Sequence, residues 1–106
     1  MAKINFTPDA FKDMKDIKVF IIDELCSKQS AINVIGKIMK HIRQLADCPE
    51  SGASLSPIIN LEVPYRFLVC GNYTVLYKVE GYDVHIIRVL YGRRNFLPIL
   101  FGSSYD

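Results

Sequence analysis

Tyr65-Arg66-Phe67-Leu68-Val69-Cys70-Gly71-Asn72-Tyr73-Thr74-Val75-Leu76-Tyr77-Lys78-Val79-Glu80-Gly81-Tyr82-Asp83-Val84-His85-Ile86-Ile87-Arg88-Val89-Leu90-Tyr91 is the stretch that decides the fold. Its residues are mostly β-branched or aromatic, the types that fit a pleated, half-buried surface. The period is two. Tyr65, Phe67 and Val69 alternate with Arg66, Leu68 and Cys70, and Tyr73, Val75, Tyr77 and Val79 alternate with Thr74, Leu76 and Lys78. Val84, Ile86, Arg88 and Leu90 then alternate with His85, Ile87, Val89 and Tyr91. Gly71-Asn72 marks one tight turn and Glu80-Gly81-Tyr82-Asp83 a second. The pattern predicts a three-strand antiparallel meander.

Upstream the period changes from two to 3.6. Phe11, Met14, Ile17, Ile21, Ile22 and Leu25 recur at helical spacing, with Asp9, Asp13, Asp16, Asp23 and Glu24 interspersed with Lys12, Lys15 and Lys18. Thr7-Pro8-Asp9 is a helix start: an N-cap, a proline at the first helical position and an acid in the first turn. The expected helix is about 18 residues long, its length set by the apolar pattern rather than by any cap at its end. Ser27-Lys28-Gln29-Ser30 interrupts the pattern, and Ser30 is the expected cap of a second helix carrying Ala31, Ile35, Ile38, Ile42 and Leu45 on one stripe. Two amphipathic helices on a short link form an antiparallel hairpin. Asp47 to Pro57 is the one long loop-like stretch, and Lys3-Ile4-Asn5-Phe6 reads as a short first strand.

The expected fold is therefore α+β, a single domain over residues 1–106. An N-terminal helix hairpin packs on one face of a small antiparallel β-sheet of four strands, with the first strand at an edge. The opposite face is the candidate open one, marked by Arg66, Thr74, Lys78 or Arg88; strand register is not fixed by the sequence, so the four are not assigned together to it.

Composition bounds the function. The chain has 106 residues, 50% of them hydrophobic and 23% charged, so it can build a core without metal or disulfides. No apolar run approaches the ~18 residues of a membrane span, and the N-terminus has no signal-peptide core, so a cytoplasmic protein is expected. Three cysteines, Cys26, Cys48 and Cys70, without a CxxC pair argue against a disulfide framework and a zinc site. A net charge of +2 does not by itself imply nucleic acid. The kind of base says more: residues 1–60 hold seven lysines and Arg43, whereas residues 61–106 hold Lys78 alone with Arg66, Arg88, Arg93 and Arg94. Arginine suits bidentate contacts to phosphate or carboxylate.

No nucleophile triad, P-loop, HExxH or Gly-rich phosphate loop is present. His41 reads as solvent-facing beside Lys37 and Lys40. His85 lies in a strand without a carboxylate motif, and Asp9, Asp13 and Asp16 share a helix face that interleaved lysines mark as solvated. No cofactor and no metal are expected. The segment Arg88-Val89-Leu90-Tyr91-Gly92-Arg93-Arg94-Asn95, followed by the apolar Phe96 to Phe101, stands out: a strand ends, a glycine follows and two arginines come next.

These motifs resemble a known family. A Tyr65-Arg66 pair leading to a Gly71-Asn72-Tyr73 turn and a Tyr77-Lys78-Val79 strand, with Arg88 to Asn95 similar to an RVLHGRRD ending, looks like the RelE/ParE superfamily of toxins from type II toxin-antitoxin modules. The likeness covers nearly the whole chain in order and length. It implies a growth-inhibiting toxin, of the kind linked to plasmid stabilization, held in check by a cognate antitoxin, with oligomers forming through that complex. Two mechanisms divide the superfamily. ParE-like members bind DNA gyrase, and RelE-like members cleave mRNA on the ribosome, where the 2′-hydroxyl attacks the adjacent phosphate.

By the resemblance, Arg66, Arg88, Arg93 and Arg94 are the target-binding residues. If the protein is a nuclease, Arg66, Tyr91, Arg93 and Arg94 are the catalytic set. Leu68 and Thr74 stand where the nuclease branch places further basic residues, and Tyr91 replaces a common His. The Gly71 to Tyr73 turn is shorter than in the founding nuclease, and Leu97 to Phe101 replaces a C-terminal catalytic Tyr. The Gly92-Arg93-Arg94-Asn95 ending resembles the ParE side. The leading expectation is a ParE-like gyrase binder. The alternatives are a ribosome-dependent mRNA endonuclease and a non-toxic interaction or nucleic-acid-binding module on the same scaffold.

Overall fold

The computed structural model describes residues 2–59 and 64–92. In chain order the elements are β1 (Lys3–Phe6), α1 (Pro8–Leu25), α2 (Lys28–Gln44), β2 (Ala53–Ser54), the short α3 (Ser56–Ile59), β3 (Tyr65–Cys70), β4 (Tyr73–Glu80) and β5 (Asp83–Tyr91). The α+β reading with its helix hairpin and meander holds.

α1 begins where Thr7 and Pro8 place it. The Thr7 hydroxyl oxygen accepts from the Ala10 N–H at 3.1 Å, satisfying one of the orphan donors of the first turn. The helix ends at Cys26, a non-glycine residue in the left-handed region at φ 50°. The next residue, Ser27, is extended and caps α2 by accepting from the Ser30 N–H at 3.1 Å. Ser30 is thus not the cap expected from sequence. The left-handed Cys26 closes α1 at once, and the first residue after it able to take an extended cap conformation is Ser27, leaving Ser30 inside the first turn.

The sheet has five strands in the order β1-β5-β4-β3-β2. β3, β4 and β5 form the expected antiparallel meander. Gly71 and Gly81 each have φ 60°, the first central position that a type II′ hairpin reserves for glycine. β1 occupies an edge, but it pairs with β5 in parallel, Lys3 opposite Asp83 through Phe6 opposite Ile86. The sheet is therefore mixed, not all antiparallel. The helix hairpin carries the chain away from β1, so the last strand of the meander lies beside it and runs in the same direction. The loop also contributes a strand: β2 pairs with β3 through Ala53 with Phe67 and Ser54 with Arg66.

A β-bulge changes the facing of β5. Leu76 opposes Arg88, but Tyr77 opposes Ile86, leaving Ile87 as the extra residue. Strict alternation would put Ile86 and Arg88 on one face. With the bulge, Val84, Ile86 and Val89 belong to the core under the helices, while Arg88 shares a face with Leu76. Register likewise separates Arg66, which pairs with Tyr77 on the core side, from Thr74 and Lys78. The register that the sequence leaves open thus puts Thr74, Lys78 and Arg88 on the second face and Arg66 on the core side. Nor is the second face simply open: Leu55, Leu76, Leu90 and Thr74 on it are all buried.

The main core brings Ala10, Ile17 and Ile21 of α1 and Ala31, Ile38 and Ile42 of α2 onto Val75, Tyr77, Val84, Ile86 and Val89. Tyr77 is fully buried, and its hydroxyl accepts from Gly52 N–H at 2.9 Å and donates to Pro49 C=O at 2.8 Å. A Cβ at Gly52 would lie 2.5 Å from Tyr77 Oη and 2.6 Å from Phe67 O, so glycine is required there. No described helix is long and apolar enough to cross a membrane.

Candidate functional site

β5 outruns its neighbour. β1 stops opposite Ile86, and β5 continues to Tyr91. Unpaired strand-edge groups are costly where they are buried and an aggregation hazard where they are exposed. Two side chains treat this edge. The Thr7 hydroxyl donates to the Ile87 carbonyl at 2.8 Å, and Asp13 Oδ2 accepts from the Val89 N–H at 3.0 Å.

The same Asp13 carboxylate grips Arg88 with both oxygens. Nε donates to Oδ2 at 2.7 Å and the terminal nitrogen to Oδ1 at 3.0 Å. This is the bidentate fork geometry that makes arginine–carboxylate pairs directional. Asp13 hydrogen bonds hold the Arg88 guanidinium above its ordinary pKa, opposed in part by burial. Asp13 was expected on a solvated face. β1 stops short of the end of β5, and Asp13 takes the edge that β1 leaves.

Beyond this pair, α1 and the end of β5 enclose a groove of about 440 Å³. Phe20 forms one wall, 58% exposed, and Tyr91 another, 59% exposed, with Ile17, Tyr73 and Val89 beneath and Asp16 at the rim. The Tyr73 and Tyr91 rings meet edge to face, centroids 5.4 Å apart. Burial and the neighbouring Tyr91 push the Tyr73 phenol up, away from service as a base at neutral pH. At the strand end the buried Thr74 hydroxyl donates to the Gly92 carbonyl at 2.8 Å, and Gly92 N–H donates to Asn72 C=O at 2.7 Å. Arg93 and Arg94 lie outside the described residues.

Arg66 is elsewhere. It sits on β3, two strand spacings (~9.6 Å) from β5. Its Nε donates to Gly52 C=O and a terminal nitrogen to Glu50 C=O, each at 3.1 Å. The structure therefore separates Arg66 from Arg88, and each guanidinium bonds within the fold.

A third polar cluster lies at the β4–β5 turn. Lys78 Nζ is 2.7 Å from Glu80 Oε1 and His85 Nε2 is 3.8 Å from Glu80 Oε2. The hydrogen bond between Lys78 and Glu80 raises the lysine and lowers the glutamate. His41 Nδ1 lies 2.8 Å from the Lys37 carbonyl on its own helix. Among the described residues no group of three His, Cys, Asp or Glu side chains is placed to hold a metal ion. Cys26 and Cys48 are exposed, and burial pushes the Cys70 thiol up to about 11.

Element order, sheet topology and a side-chain-capped strand end define a small α+β protein in which a helix hairpin covers one face of a short meander. Within that class, the family model of the ParE toxin of type II toxin-antitoxin systems, parDE, matches residues 4–96. The chain belongs to the ParE toxin family, within the RelE/ParE superfamily expected from its motifs. A solved structure of the chromosomal ParDE TA system from P. aeruginosa is similar to it with a TM-score of 0.71 at 20% identity, covering 88% of this chain and 98% of that one. At that identity the likeness concerns the fold. A comparison with curated proteins returns no match.

Proposed function

We propose that this ParE-type toxin stops bacterial growth by binding DNA gyrase rather than by cutting RNA, and that its cognate antitoxin relieves the inhibition. Family membership over residues 4–96 carries the first half of this reading. The chemistry of the site supports the rest. A nuclease must take a proton from the 2′-hydroxyl, return one to the leaving oxygen and stabilise a doubly charged phosphorane. Arg66 and Arg88 are engaged with backbone carbonyls and Asp13, and Arg is in any case a poor base. Tyr91 offers a phenol, where a general base is ordinarily a His or a carboxylate. Such a strand end suits contact better than proton transfer.

The target contact in this reading is the end of β5. Tyr91 and the Phe20 groove supply apolar area, and Arg93 and Arg94 supply charge. Arg88 acts from the same strand, held by Asp13, and Arg66 acts by pinning the loop. The protein works in the cytoplasm.

A purified gyrase supercoiling reaction run beside primer extension on ribosome-bound mRNA tests the mechanism. Supercoiling is expected to fall while the mRNA stays intact. Codon-phased cuts with untouched supercoiling would move the protein to the nuclease branch.

A further inference from the structure

The outer face of α2 carries features that the fold does not require. The helix holds Lys28, Lys37, Lys40 and Arg43 and no Asp or Glu. Among the described residues none of these four cations takes part in an ion pair. Lys28 stands in the first turn, where the helix dipole disfavours a cation.

Gly36 sits mid-helix on the exposed side, one turn before Lys40, the position opposite buried Ala31, Ile38 and Ile42. Its φ is not positive, and a Cβ there would meet nothing within 4 Å. Neither backbone conformation nor internal packing calls for glycine, which weakens a helix interior relative to alanine. One turn before it, Ile32 is 60% exposed, and one turn after it stands Lys40. Helix axes approach to 8–10 Å, at the near end of that range where the contacting residue is small. A bare position between an exposed aliphatic and a run of cations matches a crossing helix that brings its own carboxylates.

We propose that the outer face of α2, centred on Gly36, is the docking surface for an acidic amphipathic helix of the cognate antitoxin. Charge complementarity selects this face. The groove beside β5 has Asp16 at its rim and would repel the same helix. In the complex an apolar side chain of the antitoxin covers Ile32, its backbone crosses at Gly36, and its carboxylates meet Lys37, Lys40 and Arg43. The proposal rests on the reading of the protein as a toxin with an antitoxin partner.

The test uses the full chain and the antitoxin encoded by the adjoining open reading frame, with affinity measured by titration calorimetry at low and high salt. Gly36→Ala is expected to raise the Tm of the free toxin, by roughly 4–8 °C if the usual glycine deficit is recovered, yet weaken the complex. Gly36→Gln and the pair Lys40→Glu with Arg43→Glu are each expected to weaken it at least tenfold. The charge pair is also expected to flatten the salt dependence, while the variants remain toxic alone. A wild-type chain that does not bind the antitoxin overturns the toxin reading and this proposal with it. Tight wild-type binding with unchanged variant affinity overturns the placement alone. A fall in Tm for Gly36→Ala assigns the glycine to the fold. Loss of toxicity with antitoxin affinity intact assigns the face to the target. Either result overturns the proposal.

Discussion

Two cysteines show how differently one residue type behaves in this chain. Cys26 is exposed and left-handed, a conformation that costs an L-residue about 1 kcal/mol or more. Glycine takes the same φ without that penalty and is the common residue at this place after a helix. Cys26→Gly is therefore expected to stabilise the protein by about 1 kcal/mol in urea denaturation. Cys70 is 5% exposed, and burial favours its neutral thiol. Its pKa rises from 9.0 to about 11 on folding, so the native state holds the proton more tightly than the unfolded chain. The stabilisation is fully present below pH 9 and is lost as pH rises towards 11. A rise of this size corresponds to roughly 2–3 kcal/mol. Denaturation at pH 8 and pH 11 is expected to show a decline of that order in the wild type and a smaller one in Cys70→Ala. An equal decline in both would assign the alkaline loss to other groups.

At the scale of elements, the edge of β5 is where local order depends most on a distant residue. Asp13 answers one backbone N–H and one guanidinium at once, 13% exposed itself. Asp13→Ala leaves the Val89 N–H without its acceptor and Arg88 without its counter-charge. The expected cost is about 2–4 kcal/mol, and Asp13→Asn, which keeps one acceptor, is expected to cost less. Amide exchange reads the local effect: Val89 is expected to lose protection before the β4 side of the meander does. Unchanged exchange at Val89 would show that the strand end is held without Asp13. None of this could be read along the chain. Asp13 looks like one acid among alternating lysines, and its partner lies 75 residues away. The bulge at Ile87 was equally hidden. Ile86, Ile87, Val89 and Leu90 are all apolar, so the run fits either face, and only pairing with β4 sets the phase.

For the whole molecule, stability and toxicity are expected to separate. If Arg93 and Arg94 serve the target contact and not the packing, Arg93→Ala with Arg94→Ala is expected to relieve growth inhibition and leave Tm nearly unchanged, with a stability change within about 0.5 kcal/mol. A large fall in Tm would instead make the two arginines structural, and full toxicity would remove them from the target contact. The sequence by itself determined the elements: Thr7 and Pro8 start α1, the 3.6-residue period sets both helices, and the two-residue period with Gly71 and Gly81 sets the meander. Its joint motifs also pointed to the toxin superfamily. Those signals are local, because helix and strand periods and turn chemistry act within a few residues. The tertiary structure alone decided that β1 pairs in parallel with β5, that Asp47 to Pro57 is fastened by Tyr77 and Arg66, and that Arg88 turns to Asp13. Each of these joins residues far apart in sequence. Burial of a shared core brings them together, and the need to satisfy every buried or edge polar group then selects the partners.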